Sequence, residues 1–514
     1  MCVGKRTTRR VPTLPRLRCG SVKVRACLLR PVALCFFRIP FSKKLMASLM
    51  WFRRDLRVLD NTALHNASQF KEGVVGLFII TPEQWLEHGD ADCKIKFWLE
   101  NLNELSERLA KFNIPLIIET CDSFAEVPDV IVKVAKRFGC TDLFFNREYE
   151  VNENRRDTEV SNACESVGIS VQRFHDRVVV PPRKIKTKDG RFYSVFTPYR
   201  KVWDKEVANY CEPLGKPKKQ PVNEIKSSKV PTKLPGFDFS RAIGNWPAGE
   251  TEAANRLKKF AKRISNYNVA RDVPSVEGTS WLSPYLVAGV ISPRQCLSVA
   301  MEAQADCDDD DGAKVWVSEL TWRDFYAAVM VGFPRVSMHQ PFKPKTNAIK
   351  WRKSESDLNA WKIGQTGYPI VDAGMRQLNQ IGWMHNRLRM VTAMFLTKHL
   401  LIDWRQGEAY FMQKLIDGDL AANNGGWQWS ASTGTDAVPY FRIFNPFSQS
   451  KRFDPEGDFI KRMCPELKKV PAKSLHDPAK LTAAIKDQGA DYPAFIVDHK
   501  LARERTLAEF KRIG

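Results

Sequence analysis

Five short apolar runs separated by amphipathic stretches constrain the fold more than any other feature of this sequence. They lie between residues 48 and 180 and read SLMWF, VVGLFII, IPLIIE, TDLFFN and ISVQRF. None shows the strict apolar–polar alternation of a strand with one face in water, so both faces of each strand are expected to be buried. Buried strands alternating with helices predict a parallel, Rossmann-like α/β domain with a ligand crevice at its strand ends.

The remainder of the chain has a different pattern. Residues 181–245 are rich in Lys, Pro and Ser, which predicts a long, solvated basic connector. Beyond it the pattern becomes helical: Leu388, Val391 and Phe395 share one face at helical spacing, and EAYFMQKLID predicts a helix that stops at Gly418. We therefore predict a basic leader (1–47), an α/β domain (48–180), the connector (181–245) and an all-helical domain (246–514).

The leader is set apart by its charge, since residues 1–54 contain no acid. Two interpretations stay open: an Arg-rich organelle transit sequence, or a start codon assigned too early, with Met46 or Met50 beginning the protein just before the first strand. The apolar piece PVALCFF is too short to span a bilayer, and no unbroken apolar run of the required length follows. A soluble protein with no membrane partner is predicted.

Charge and cysteine usage narrow the function further. The net charge of +22 favours an anionic partner. The 12 cysteines include no C-x-x-C pair, so neither a zinc ribbon nor a redox pair is indicated, and scattered thiols fit a reducing compartment. Zinc-hydrolase and P-loop motifs are also missing. The acidic run DCDDDDG (306–312) lacks the spacing of a calcium loop and is interpreted as a solvated loop.

The stretch DGDLAANNGGWQWSASTGTDAVPYFRIFNP (417–446) concentrates chemistry-bearing residues and is predicted to be an irregular segment after a helix. Carboxylates such as Asp417 and Asp419 could hold a metal, act as acid and base, or accept hydrogen bonds from a cofactor. No histidine-rich set is nearby, which disfavours a metal; a plainer alternative is that they end a helix and pair with arginine. Together with the amides, glycines and tryptophans, they indicate a pocket for a polar, planar, redox-active ligand.

Several long motifs then resemble one family. They are WFRRDLRVLDNTAL (51–64), VEGTSWLSPYL (276–286), ELTWRDFY (319–326), TGYPIVDAGMRQL (366–378), GWMHNRLRMVTAMFLTKHLLIDWR (382–405) and the stretch at 417–446. From about residue 48 to nearly 510, the sequence resembles the photolyase and cryptochrome family, most closely class I cyclobutane pyrimidine dimer photolyases. The resemblance implies an α/β antenna domain and a helical domain that binds FAD.

The activity implied is light-dependent DNA repair. Reduced, anionic FAD excited by light would donate an electron to a cyclobutane pyrimidine dimer in DNA, the dimer would split, and the electron would return. The implied enzyme is a carbon–carbon lyase, expected to be a monomer. It would work in the cytoplasm at the nucleoid of a prokaryote, or in the nucleus or mitochondrion of a eukaryote. The alternative is a cryptochrome-type blue-light photoreceptor without repair activity.

The resemblance also assigns residues to roles. FAD would be bound by Tyr267, Thr279, Ser280, Trp281, Leu282, Ser283, Arg389, Asp417, Gly418, Asp419 and Asn423. The lesion pocket would comprise Glu319, Trp322, Asn386, Arg387, Met390 and Trp429, with Glu319, Asn386 and Asn423 catalytic and with Arg271, Arg323 and Arg442 facing DNA. Trp351, Trp404 and Trp427 would carry electrons to the flavin, although each alone could be core. Arg389 is expected to pair with Asp417, and TSWLS alone could also be a helix N-cap.

Two asparagines separate branches of the family. Plant cryptochromes resemble this sequence but have Asp at the position of Asn423, and six-four photolyases have His at that of Asn386. An amide cannot deliver a proton to the flavin, so Asn423 favours a repair enzyme, and Asn386 implies the cyclobutane lesion.

The antenna is implied by a smaller set. His88, Asn152 and Glu153 match positions that bind 5,10-methenyltetrahydrofolate. Met338 stands where a lysine grips the acidic tail of that pigment, and Ser337 also departs from the pattern. Folate is therefore the expected antenna, with a deazaflavin or an empty site as alternatives.

Overall fold

The N-terminal domain is built on a five-stranded parallel sheet. In this computed structural model, which describes residues 48–70, 72–240, 246–306 and 311–513, every predicted strand is present. The strands are β1 (Ser48–Phe52), β2 (Val74–Ile80), β3 (Leu116–Thr120), β4 (Asp142–Asn146) and β5 (Ser170–Phe174), in the order β3-β2-β1-β4-β5. The order reverses at β1, which places a ligand crevice beyond the carboxyl ends of β1 and β4.

Helices cover both faces of this sheet. They are α1 (Thr62–Ala67), α2 (Pro82–Glu87), α3 (Asp92–Ala110), α4 (Val127–Phe138) and α5 (Val151–Ser166). In β1, Met50 and Phe52 contribute to the core on one face, whereas Leu49 and Trp51 contribute to the core on the other. This two-sided burial explains why the strand runs lack polar alternation. Met50 lies inside β1, so it does not precede the first strand as predicted; the leader, including Met46, lies outside the described residues.

The connector is more structured than predicted. It contains helix α6 (Phe196–Glu206), followed by a 3₁₀ turn (Val207–Asn209), and Trp203 of α6 is buried and donates to Asp324 at 2.9 Å. Farther along, the hydroxyls of Ser227 and Ser228 accept the Leu116 and Ile118 N–H groups at 3.0 Å each. The connector therefore covers the free edge of β3 and is not a simple solvated linker.

The part after the connector is helical, as predicted. Its helices are α7 (Glu250–Ala261), α8 (Tyr267–Ala270), α9 (Ser283–Ala288), α10 (Pro293–Asp306), α11 (Asp311–Gly332), α12 (Glu355–Ile363), α13 (Pro369–Ile381), α14 (Asn386–Met394), α15 (Trp404–Met412), α16 (Leu420–Ala431), α17 (Pro446–Phe453), α18 (Asp458–Met463), α19 (Ala472–Leu475), α20 (Pro478–Gln488) and α21 (His499–Arg512). Among the described residues, none of the helices is long and apolar enough to cross a bilayer.

Two helix predictions in the second half are wrong. Helix α15 ends at Met412, well before Gly418, and residues 420–431 form α16 rather than an irregular segment. The Asp419 carboxylate caps α16 by accepting the Ala422 N–H at 3.1 Å. Gly425 lies where any side chain would collide with the Tyr326 ring of α11. Close packing against α11 thus outweighs the low helix propensity of glycine.

Candidate functional site

Helix α16 packs against both α11 and α14, and the three helices carry half-buried or exposed side chains in one region of the helical domain. Each contributes residues that the sequence assigns to the lesion pocket: Glu319 and Trp322 from α11, Asn386 and Met390 from α14, and Trp429 from α16. Tertiary packing brings together groups that are more than 100 residues apart in the chain. The predicted lesion residues therefore share one region of the fold.

The loop before α16 carries a buried ion pair. Arg389 Nη2 donates to both oxygens of Asp417, at 3.0 and 2.8 Å, and its Nε donates to the Met384 carbonyl at 2.8 Å. The predicted pair is thus confirmed. The carboxylate oxygens of Asp417 can in addition accept hydrogen bonds from a ligand's N–H groups.

Asp419 faces away from Asp417 and is engaged by the α/β domain. Its Oδ2 accepts from Arg177 at 2.6 Å, and Arg54 lies 3.8 Å away. Its Oδ1 caps α16. The Asp417 and Asp419 carboxylates, which the sequence suggests could reach one neighbourhood, therefore have different partners in the structure.

Lys94 clamps the same loop from α3. Its buried ammonium donates to the Gly418 carbonyl at 2.7 Å and pairs with Asp90 at 2.5 Å. The Cys93 thiol approaches the Lys414 carbonyl at 3.5 Å. The α/β domain therefore fixes the loop that joins α15 to α16, a role that the sequence analysis missed.

The TSWLS run is organised by tryptophan stacking. Trp281, with a φ of 57°, stacks on Trp383 at 4.3 Å between ring centroids, and Trp383 Nε1 donates to the Ser283 hydroxyl at 3.1 Å. Helix α9 begins without a side-chain cap at Leu282, so the N-cap interpretation of this run is wrong. The half-buried hydroxyls of Thr279 and Ser280 make no hydrogen bond within the described part of the chain, which leaves them available to a ligand. Tyr267 is buried nearby on α8, edge-on to Phe260.

Asn423 lies in the first turn of α16 and is oriented by Glu408. Its amide donates to the Glu408 carbonyl at 3.0 Å, while the Glu408 carboxylate accepts from Asn424 at 2.8 Å. His339 approaches the same carboxylate at 3.4 Å. Gly426 is exposed and has open space where a side chain would be, so a planar group has room beside this turn of the helix.

Acidic partners orient two cations in the region of α11 and α14. Arg271 pairs with Glu319 at 2.7 Å, and Arg387 pairs with Asp272 at 2.7 Å. Burial raises the pKa of Glu319, while Arg271 opposes that shift; the side chain stays 32% exposed. Asn386, by contrast, is exposed, and its amide makes no hydrogen bond in the described ranges. This region thus holds an oriented carboxylate and an exposed amide.

The two remaining predicted DNA contacts differ from each other. Arg442 is exposed in a loop beside exposed Tyr440 and Phe441. Arg323 is half-buried and donates to the carbonyls of Arg177 and Leu286, so its guanidinium is used inside the protein and does not face DNA as expected. Its position on α11 next to Trp322 could not reveal this, because only the fold brings Arg177 beside it.

Trp322 stacks on Phe196 of α6 at 3.7 Å and 5°, so one face of its ring is covered by the connector. The three tryptophans assigned to electron transfer lie in one core: Trp404 and Trp427 are buried, and half-buried Trp351 packs against the same cluster. Trp361 packs edge-on against Trp427, with 6.0 Å between ring centroids. The structure groups the three residues without testing their role.

A cavity lies at the crevice beyond β1 and β4. It has a volume of about 350 Å³ and is lined by His88, Asn152 and Glu153, the three predicted antenna residues, together with Arg54, Glu148, Glu150, Ser337 and Glu408. His88 contacts Asn152 at 3.2 Å and Glu153 at 3.7 Å. Sequence reasoning therefore identified residues that do share one cavity.

Buried charges surround this cavity. Arg54 pairs with both Glu148 and Glu150, whereas Glu153 has no arginine at ion-pair distance within the described ranges. Burial, together with the neighbouring charge of Glu150, raises the pKa of Glu153 to about 7. Burial also lowers the pKa of His88. The cavity thus presents a neutral imidazole and a carboxyl group that titrates near neutrality.

The two departures from the folate pattern have different positions. The Ser337 hydroxyl accepts the Val151 N–H at 3.1 Å and lines the cavity, whereas the Met338 side chain is 51% exposed. Sequence reasoning missed Arg54, Glu148 and Glu150. These three residues follow shortly after β1 and β4 in the sequence. That position could have indicated the cavity only if the two strands were already known to be neighbours.

These features define a class of protein: an α/β sheet domain with a cavity beyond its strand ends, joined to a helical domain that gathers polar and aromatic side chains in one region. The family model described as DNA photolyase matches residues 48–221, and that described as the FAD binding domain of DNA photolyase matches residues 316–512. The deoxyribodipyrimidine photo-lyase of Escherichia coli (strain K12) is 44% identical over 467 residues, which cover 90% of this chain and 98% of that protein.

Solved structures agree with these matches. A bacterial class III photolyase from Agrobacterium tumefaciens has a TM-score of 0.82 at 34% identity and covers 93% of this chain and 99% of its own. An archaeal photolyase from Sulfolobus tokodaii, described with two FAD molecules, has a TM-score of 0.74 at 31% identity and covers 91% of this chain and all of its own (100%). This chain belongs to the DNA photolyase family, and its helical domain is an FAD-binding domain.

The residues present fit that cofactor. Free hydroxyls at Thr279 and Ser280 suit phosphate oxygens, the Arg389–Asp417 pair suits a ring that presents N–H groups, and open space over Gly426 suits a planar ring beside Asn423.

Proposed function

We propose that this protein is a light-dependent lyase that splits cyclobutane pyrimidine dimers in DNA, the activity named in its bacterial relatives. The observation that carries this proposal is the set of amide and aromatic groups that α11, α14 and α16 bring into one region, above all Asn386. Its free amide at the start of α14 can donate to a pyrimidine carbonyl as soon as a flipped dimer enters.

The protein's own groups hold the lesion and the cofactor. Glu319, fixed by Arg271, can accept from pyrimidine N–H groups, and Trp429 and Met390 offer apolar contact to the bases. Reduced, anionic FAD, when bound, supplies the electron made available by light. Asn423 offers that ring an amide that does not titrate, so no side-chain proton is available at this position.

Exposed or half-buried cations of the helical domain are proposed to bind DNA. Arg271 and Arg387 are held in place by Glu319 and Asp272, and Arg442 is exposed in a separate loop. Such contacts to phosphates supply affinity that falls with salt and carries no sequence preference. The net positive charge of the chain would also attract the negatively charged DNA duplex. The enzyme is proposed to act as a monomer where its DNA is located, at the nucleoid or in the nucleus or mitochondrion.

The cavity at the β1–β4 crevice is proposed to hold the antenna. Glu153 and Asn152 can pair with the donors and acceptors of a pterin ring, which supports 5,10-methenyltetrahydrofolate. Because Met338 is apolar, the acidic tail of a folate would lack one cationic partner. A deazaflavin, or a second FAD as described for the Sulfolobus tokodaii protein, is the competing ligand.

The deciding experiment measures repair directly. Purified, flavin-loaded protein is incubated with a dimer-containing oligonucleotide in light and in darkness, and restored thymines are quantified. Restoration only in light is the expected result. Light-driven flavin photochemistry without any restored thymine would reject the proposal and favour the cryptochrome alternative.

A further inference from the structure

A group of cations at the outer edge of the sheet has no use in the proposed reaction. Arg147 follows β4, Arg173 lies in the edge strand β5, and Arg183 lies in the loop after it. Phe145 pairs with Arg173, and the Arg147 N–H continues the ladder by donating to Phe174 at 2.7 Å. Alternate residues of a strand share a face, so Arg147, Arg173 and His175 lie on the same side of the sheet.

These arginines lack acidic partners. In the described part of the chain, no ion pair joins Arg147, Arg173 or Arg183 to an Asp or Glu. The nearby Asp157 is already paired with Arg53 at 3.1 Å and with Arg156 at 2.7 Å. The Nε atom of Arg147 is buried and has no hydrogen-bond partner among those residues. A buried donor without a partner calls for a ligand, an ion or water.

Their charges act on one another. Burial lowers the pKa of Arg147, and the neighbouring charges of Arg173 and Arg183 lower it further. Burial and the charges of Arg147 and Arg183 lower the pKa of His175 to about 4, so its ring is neutral at pH 7. Tyr149 meets His175 Nδ1 at 2.9 Å; with the phenol donating, Nε2–H is left as a further donor. Like charges gathered this way are unfavourable until an anion joins them.

We propose that Arg147, Arg173, Arg183 and His175 form a binding site for a phosphate group. Planar guanidinium groups present paired N–H donors that match phosphate oxygens, and three of them beside a neutral imidazole donor suit a single phosphate group. The phosphate could come from DNA beyond the lesion or from a free phosphate compound. This site goes beyond the proposed repair function and does not depend on it.

Thermal unfolding of the flavin-loaded full chain tests the site, in phosphate and in chloride at equal ionic strength and pH. The wild-type midpoint is expected to be at least about 1 °C higher in phosphate. Because phosphate also stabilises proteins generally, the double variant Arg147→Gln/Arg173→Gln decides. In the double variant, phosphate should raise the unfolding midpoint only by the amount expected from its general stabilising effect. The control Arg191→Gln removes an exposed arginine that pairs with Asp189 in the same loop as Arg183, and its midpoint should rise as much as that of wild type. Equal gains in wild type and double variant would overturn the proposal.

A binding experiment distinguishes the two sources. The affinity of each protein is measured against salt for a short lesion duplex and for a longer one. If DNA supplies the phosphate, the double variant lowers the salt slope by about 1 to 2, only with the longer duplex. If the double variant binds DNA with an unchanged salt slope but is no longer specifically stabilised by phosphate, the ligand is a free phosphate compound. If the double variant does not fold, the exposed single variant Arg183→Gln should show a reduced phosphate gain, and a full gain would count against the site.

Discussion

Arg177 donates to Asp419 at 2.6 Å and thereby connects the end of the α/β domain to the N-cap residue of α16. Arg177 also contacts Glu150 at 3.2 Å, and Glu150 lines the cavity at the sheet edge. Burial would raise the pKa of Asp419, but Arg177 and Arg54 hold it below its usual range. A single chain of buried ion pairs thus runs from the proposed antenna cavity to the N-terminus of α16.

Replacing Arg177 tests that connection. Arg177→Gln should lower the free energy of unfolding by about 3–5 kcal/mol, because it leaves Asp419 buried with its main partner removed. It should also weaken flavin retention, since Asp419 caps the helix that carries Asn423. Urea unfolding and flavin release measure the two effects. Arg191→Gln removes a mostly exposed arginine and should change neither; a similar response of both variants would contradict the assignment.

The raised pKa of Glu153 predicts a pH-dependent stability. The pKa of Glu153 is about 7 in the folded protein, above the ordinary 4.5. Its contribution to the free energy of unfolding is therefore complete below about pH 4.5 and is lost as the pH rises through 7. Glu153→Gln stays neutral throughout. We compare proteins without a ligand in the crevice. Between pH 5 and pH 8, the free energy of unfolding of the variant should rise relative to that of wild type by roughly 1–3 kcal/mol. Thermal unfolding across this range measures it, with exposed Glu159→Gln as control; parallel curves for Glu153→Gln and wild type would refute the prediction.

Asn423→Asp tests the amide beside the flavin. The amide donates to the Glu408 carbonyl at 3.0 Å, an interaction that an ionised carboxylate cannot make. The new acid should therefore stay protonated and offer a proton next to the ring. Light-dependent repair is expected to fall by about tenfold or more, equivalent to roughly 1.4 kcal/mol in barrier. Repair rates from pH 6 to 9 should show a new titration; a pH-independent rate equal to wild type would exclude this role.

Asn386→Ala tests contact with the lesion. Removing its free amide should slow repair about tenfold, the equivalent of one hydrogen bond. The flavin should remain bound, because Asn386 is exposed and contacts none of the Arg389–Asp417 pair. Repair assays and flavin absorbance separate the two effects, and exposed Asn154→Ala serves as the matched control. Loss of flavin from Asn386→Ala would show that this residue contributes to flavin binding rather than to lesion binding.

Trp351→Phe tests the path to the surface. Photoreduction of oxidised flavin should slow by at least about tenfold, while repair by already reduced enzyme should be unchanged. Trp361→Phe is the informative comparison, because Trp361 packs against Trp427 in the same core but has no assigned role. If Trp361→Phe slows photoreduction more than Trp351→Phe, the electron reaches the flavin through Trp361 instead. Time-resolved absorbance after a light pulse reports both rates.

Local patterns determined much of the fold. The five strands and the buried face of α14 were predictable because burial on both sides of a sheet, or on one side of a helix, leaves a periodic record in the sequence. The Arg389–Asp417 pair was also expected, from resemblance to a family rather than from spacing. The error at α16 arose because Gly425 and Gly426 read locally as helix breakers, while the close approach of Tyr326 requires glycine at the first of them.

The charge networks were decided only by the tertiary structure. Arg177 and Asp419 are 242 residues apart, and Lys94 and Gly418 are 324 apart, so no local pattern relates them. Arg323 illustrates the converse: its sequence context suggested DNA, yet the fold presents it with two carbonyls. Sequence periodicity records which side of an element is buried, whereas the partner of a buried charge depends on strand order and domain packing, which bring distant residues within hydrogen-bond distance.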